Sequence, residues 1–183
     1  MVSRKYLKDY RVVETIDAKG RVRSDAVYTG GDFTLSPSVG AGDKRIILCL
    51  SILSAVAFLG ALIPVTHASR IIYVTLPFVF SALSMYMMIG AAVMLLRVED
   101  VTTREKAEKT ANRLPPSALV TAILSFASFA AGIGAVVVLR ADVVTGDIIF
   151  IALSLVISVS SAVSFSKCRK IKAVRMDEES PEP

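Results

Sequence analysis

Four long apolar stretches dominate this sequence, each 19 to 26 residues long and free of Asp, Glu, Lys, Arg and His. They cover residues 46–64, 71–96, 117–139 and 148–166. About 20 apolar residues are enough for a helix to cross the hydrocarbon core of a bilayer. We therefore predict an all-α integral membrane protein with a four-helix transmembrane bundle over 46–166. The residues left outside the bundle are too few for a soluble enzyme domain.

The basic residues indicate the orientation of these predicted spans. Of the 21 lysines and arginines, 19 lie before the first span, between the second and third, or after the fourth. Because Lys and Arg are retained on the cytoplasmic side, both termini are predicted to be cytoplasmic. The same bias explains the pI of about 9.4 without a nucleic-acid partner. The short outer connections favour a compact bacterial protein of the plasma (inner) membrane, with the lipid bilayer as its first partner.

The N-terminal segment, residues 1–35, is predicted to carry a small cytoplasmic β-hairpin over 10–28. Two β-rich runs, 10–16 and 21–28, flank Asp17-Ala18-Lys19-Gly20, which suits a three-residue hairpin loop. That loop sets a register in which one face is mostly apolar. Since an isolated two-stranded hairpin is marginal in water, something should cover this face. The candidates are the central loop, the membrane surface, a second copy or a partner protein, and the candidate docking face comprises Tyr10, Val12, Ile16, Val22, Ala26 and Tyr28.

The other segments outside the spans are predicted to be a linker, a helical loop and a disordered tail. Residues 36–45, rich in Ser, Pro and Gly, form a linker. Residues 97–116 form a helical cytoplasmic loop that Pro115-Pro116 stops, either solvated or docked on a soluble partner. Residues 167–183 form a disordered tail, first basic and then acidic. Its basic residues are candidate contacts for anionic lipid: Lys167, Arg169, Lys170, Lys172 and Arg175.

Small residues recur at four-residue spacing within the spans. Such spacing lets helix backbones approach closely and lets hydroxyl groups bond between helices. It predicts packing inside the bundle, with a homodimer face or another membrane subunit as the alternative. The candidate helix-packing residues are Ala57, Ala61, Ser128, Gly132, Ser154, Ser158 and Ala162.

The sequence offers little support for catalysis or for ion-coupled transport. No predicted span carries a titratable group of the kind that proton or ion carriers use. No nucleophile has a neighbouring base, and no ligand cluster or cofactor motif is present, so we predict no enzyme, metal or cofactor. We interpret the chain as an accessory or scaffold component of a plasma-membrane complex, meeting a protein partner or itself through the hairpin or the small-residue faces. The alternative is a small oligomeric transporter or channel for an uncharged or lipid-like solute, and a membrane-embedded enzyme comes third.

Overall fold

A computed structural model describes residues 4–16, 22–36, 39–63, 71–98, 101–139 and 144–176. These residues contain four helices that are long and apolar enough to cross a membrane. The helices are α1 (Ala41–Ala61), α2 (Ile72–Leu96), α3 (Arg104–Leu139) and α4 (Thr145–Cys168). The predicted helical bundle is therefore confirmed at the level of its four long apolar helices.

The four helices pack in a ring, in which α2 contacts α1 and α3 while α4 contacts α3 and α1. At the end where α2 and α4 begin, the Phe58 ring stacks on Phe78 with 4.5 Å between centroids. Phe78 also meets Phe150 at 5.0 Å. At the opposite end Leu95 and Leu114 are buried. Apolar side chains thus pack at both ends of the bundle interior.

The end of the bundle at which α1 and α3 begin carries residues 4–16, 22–36 and 169–176, and we name it the terminal side. A 3-10 helix, Arg4–Asp9, leads there into strands β1 (Tyr10–Ile16) and β2 (Val22–Tyr28). These strands form an antiparallel hairpin with the predicted register, from Tyr10 opposite Tyr28 to Ile16 opposite Val22. The predicted turn at 17–20 lies outside the described residues.

A second two-stranded sheet was not predicted. Strand β3 (Phe33–Ser36) pairs antiparallel with β4 (Lys172–Arg175). The prediction that the tail is disordered from residue 167 is therefore wrong as far as Arg175, because β3 supplies hydrogen-bonding partners more than 130 residues away in the sequence. The acidic end of the tail, 177–183, lies outside the described residues.

Two predicted helix boundaries are also wrong. Helix α1 begins at Ala41, inside the predicted linker. Helix α3 does not stop at Pro115-Pro116 but continues through both prolines. Leu114 and Ala118 are buried on either side of them. Packing against neighbouring helices holds the proline-containing turn in place, as it does in many apolar helices.

Candidate functional site

The base of the hairpin is anchored to the first turn of α3 by Tyr28. Its hydroxyl accepts a hydrogen bond from the backbone N–H of Arg104 at 3.1 Å and donates one to the carbonyl of Gly31 at 2.9 Å. The Tyr10 ring meets Tyr28 edge-on, with 5.3 Å between centroids. A Cβ on Gly30 would lie 2.5 Å from the Tyr28 ring, so the chain passes the ring closely only because residue 30 is glycine. The two tyrosines are thus engaged inside the molecule.

The guanidinium of Arg104 joins three elements on the terminal side. It donates to Glu108 at 2.7 Å, lies 3.8 Å from a carboxylate oxygen of Asp9 and stands over the Phe33 ring at 5.9 Å. The buried Tyr6 donates its hydroxyl to the other oxygen of Glu108 at 3.2 Å. Arg104 therefore connects the 3-10 helix, β3 and α3 through a hydrogen-bonded ion pair, a longer ion pair and a cation–π contact.

The fold changes the acidity of Tyr10 on the hairpin. Partial burial, followed by the negative charge of Glu105 and a hydrogen bond to it, raises the pKa of the Tyr10 phenol above its ordinary value of 10.0. Glu105 is itself paired with Lys109. Because the folded-state pKa is raised, this contribution to stability is present below pH 10 and is lost as the pH rises through the raised value.

We expect Tyr28→Phe to loosen the contact between the hairpin and α3. The substitution removes one donor and one acceptor and leaves the Arg104 N–H without its partner, so we expect a loss of about 1 kcal/mol of local stability. Hydrogen exchange of the peptide that contains residue 104 measures this directly, and exchange should become several-fold faster. Tyr86→Phe is the control, because Tyr86 is exposed on α2. Equal exchange in the two variants would contradict the anchoring role.

The rest of the predicted docking face divides into two groups. Val12 is 66% exposed, and its cross-strand neighbour Ala26 is exposed beside it. On the opposite face of the hairpin Val13 and Val27 are exposed as well. For Ile16 and Val22 the structure describes the strand pairing alone. The hairpin is thus anchored through Tyr10 and Tyr28 at one end, whereas the side chain of Val12 is exposed.

Six of the seven predicted helix-packing residues lie inside the bundle. Ala57, Ala61, Ser128, Gly132, Ser154 and Ser158 are buried. Ala162 is exposed on the outside of α4, so it takes no part in packing within one chain. For Ala162 the alternative stays a prediction, namely contact with a second copy or with another membrane subunit.

Buried hydroxyl groups connect the helices, and the spacing argument found only some of them. Ser54 of α1 lies 2.7 Å from Ser160 of α4. Thr121 of α3 donates to Ser84 of α2 at 2.9 Å. A further set of buried hydroxyls has no hydrogen-bond partner among the described residues: Thr110, Ser125, Ser154 and Ser164. Ser54 was missed because its partner lies 106 residues away, which no local spacing reveals.

The five basic residues at the end of α4 and after it differ in their surroundings. Lys167 binds Asp43 in the first turn of α1 at 2.7 Å. Lys172 and Arg175 belong to β4. The remaining two, Arg169 and Lys170, are exposed in the turn between α4 and β4. Contact with anionic lipid stays a prediction for all five.

One carboxylate lies deeper than expected. Helix α4 begins at Thr145, so Asp147 belongs to its first turn, where it is only 2% exposed. Its side chain accepts the backbone N–H of Val144 at 3.3 Å. A carboxylate in this position satisfies a free amide and complements the helix dipole. Asp147 therefore stabilises the start of α4.

Comparisons of the chain with protein-family models, curated proteins and solved structures found no match. Within the described ranges no three His, Cys, Asp or Glu side chains come together as a metal site would require. The candidate functional surface therefore rests on geometry alone, and it is the exposed part of the hairpin.

Proposed function

We propose that this chain is a non-enzymatic accessory or scaffold component of a membrane protein complex, inserted through its four helices with both termini in the cytoplasm. The observation that supports this most is the hairpin, which is tied to α3 through Tyr28 yet leaves Val12 66% exposed. A hairpin that is already anchored and exposes an apolar face is suited to docking, because little conformational entropy is lost when a partner covers that face.

The orientation and location in this proposal are supported by charge. Lysine and arginine concentrate on the terminal side and in the connection between α2 and α3. This distribution favours a cytoplasmic terminal side. The short connections favour a bacterial plasma membrane. Protease digestion of sealed right-side-out and inverted vesicles tests the orientation, since only inverted vesicles should lose an N-terminal tag.

Purification of a tagged chain in a mild detergent tests the accessory role. We expect a second protein at fixed stoichiometry in the native mass, released when the hairpin face is altered. A monomer or homo-oligomer that resists every hairpin substitution would contradict the proposal.

A second candidate function, a small transporter or channel for an uncharged solute, is supported by the unpartnered buried hydroxyls. Ser125 and Ser154 face the bundle interior without a hydrogen-bond partner among the described residues. Buried hydroxyls without a protein partner can line a polar path for a solute.

For this candidate we expect Ser154→Leu together with Ser158→Leu to stop flux. Two leucines would fill the interior at buried positions of α4. Glycerol entry into protein-containing vesicles, followed by light scattering, should fall to the rate of protein-free vesicles. Ser166→Leu is the control, because Ser166 is exposed at the end of α4. Unchanged entry in the double variant would remove this path from consideration.

A further inference from the structure

An open groove of about 540 Å³ runs along the outside of the bundle between α2 and α3. Leu83 and Met87 of α2 line one wall, and Val120 and Leu124 of α3 line the other. Leu83 is 68% exposed and Met87 40%. The volume lies within the range of roughly 300–1,000 Å³ that is usual for small-molecule sites. The groove therefore has the size and the apolar lining for a flexible hydrocarbon chain.

Two polar residues border the end of this groove nearest the terminal side. Asn112 and Arg113 line it. Arg113 is exposed, and its guanidinium makes no hydrogen bond or ion pair within the part of the chain that the structure describes. The prolines at 115 and 116 have no N–H, so the carbonyls of Ala111 and Asn112 lose their regular helical donors. A cation that is unpaired among the described residues thus lies at one end of an apolar groove.

The position of Arg113 along α3 suits a lipid headgroup, because it precedes the uncharged stretch 117–139 by four residues. The hydrogen bond from Thr121 to Ser84 aligns α3 with α2. Arg113 lies eight residues, about 12 Å, from Thr121 toward the terminal side. Side chains on a helix lean toward its N-terminus, which for α3 is the terminal side. A long arginine side chain can therefore keep its charge at the headgroup level while its stem lies along the groove.

We propose that this groove binds one glycerophospholipid, with an acyl chain between α2 and α3 and its phosphate on Arg113. The proposal rests on the proposed insertion of the four helices in a bilayer. Charge complementarity favours a phosphate-bearing occupant, because the Arg113 guanidinium is unpaired among the described residues and guanidinium groups bind phosphate. A neutral lipid would leave it unpaired. The site is distinct from the basic tail after α4, since Arg113 belongs to α3.

A second groove provides an internal comparison. It lies between α1 and α4, has a volume of about 310 Å³ and is lined by apolar side chains and Ser160, with Val156 on its wall. This second groove lacks a cation among its described lining residues, so it should not distinguish a phospholipid from a neutral lipid.

The test is a native-mass titration of the full-length, delipidated protein in mild detergent. The probes are phosphatidylglycerol and a diacylglycerol with the same acyl chains. We expect one phosphatidylglycerol to bind in preference to diacylglycerol. Arg113→Gln should weaken phosphatidylglycerol binding by about tenfold, as expected for the loss of hydrogen bonds between charged groups. Arg97→Gln is the matched control, because Arg97 is exposed at the end of α2 outside the groove lining.

A second pair of variants tests the apolar part of the groove. Val120→Trp should fill it and displace the lipid, whereas Val156→Trp places the same bulk in the other groove. Equal affinity for the two probes, unchanged binding by Arg113→Gln, or equal losses in Val120→Trp and Val156→Trp would overturn the proposal. Retention of the chain in carbonate-washed membranes tests insertion separately, so failure of the lipid site and failure of the membrane location give different results.

Discussion

Replacing Val12 by Asp is expected to reduce recovery of the partner protein by at least about tenfold, with the helical content unchanged. Val12 is 66% exposed in the isolated chain, so the substitution should not disturb the fold. In a complex, burial of a valine side chain contributes about 1.5–3 kcal/mol, and an unpaired carboxylate in its place adds a desolvation penalty. A loss of 1.4 kcal/mol already corresponds to about tenfold in affinity.

The matched control for this prediction is Val27→Asp. Val27 is 47% exposed on the same hairpin but lies on the opposite face, across from Arg11. Both variants introduce the same charge and the same unfavourable strand residue. Partner recovery should therefore fall with Val12→Asp and persist with Val27→Asp, as measured by quantitative mass spectrometry of the purified complex. The reverse pattern would show that the docking face was assigned to the wrong side of the hairpin.

Tyr10 and Tyr28 are less suitable for this test, although they belong to the predicted docking face. Tyr28 anchors the hairpin to the Arg104 backbone, and Tyr10 contacts both Tyr28 and Glu105. Their replacement would loosen the hairpin and lower recovery even if a partner never touched them. Val12 is exposed and is not one of these anchoring residues, so its replacement tests docking of a partner without loosening the hairpin.

The second large effect is expected for Gly132→Leu in α3. A Cβ at residue 132 would lie 3.0 Å from a side-chain carbon of Ile151 on α4, so a leucine there crowds the contact between the two helices. Overpacking of this kind usually lowers stability by about 1–3 kcal/mol. Thermal unfolding in detergent, followed by circular dichroism, should show a clearly lower midpoint than for the control variant.

Gly134→Leu is that control, since a Cβ at residue 134 meets no described atom within 4 Å. Both substitutions remove a glycine from the same helix, so each gains the same helix propensity of about 1 kcal/mol. The difference between the two variants therefore isolates the contact with Ile151. Equal midpoints would mean that α3 and α4 do not pack closely at Gly132.

The features that the sequence predicted correctly depend on local patterns. The hairpin register follows from alternation of side chains and the length of one short loop, and it was predicted pair by pair from Tyr10 to Tyr28. The four helices follow from runs of apolar residues too long for other structures. Both signals are contained within a few tens of neighbouring residues.

The features that were missed depend on residues distant in the sequence. No local signal shows that β4 finds its partner in β3, or that Arg104 reaches Asp9 and Phe33. The same holds for the prolines of α3, whose local preference to end a helix is outweighed by packing of the surrounding residues.

The sequence by itself determined four long apolar helices, the excess of basic residues on one side and a hairpin with a defined register, because each depends on composition or spacing along the chain. Only the tertiary structure decided which hairpin residues are anchored and which are open, which hydroxyls meet inside the bundle, and that Arg113 stands at the end of an apolar groove. These properties depend on how distant segments pack, and packing is set by the whole chain.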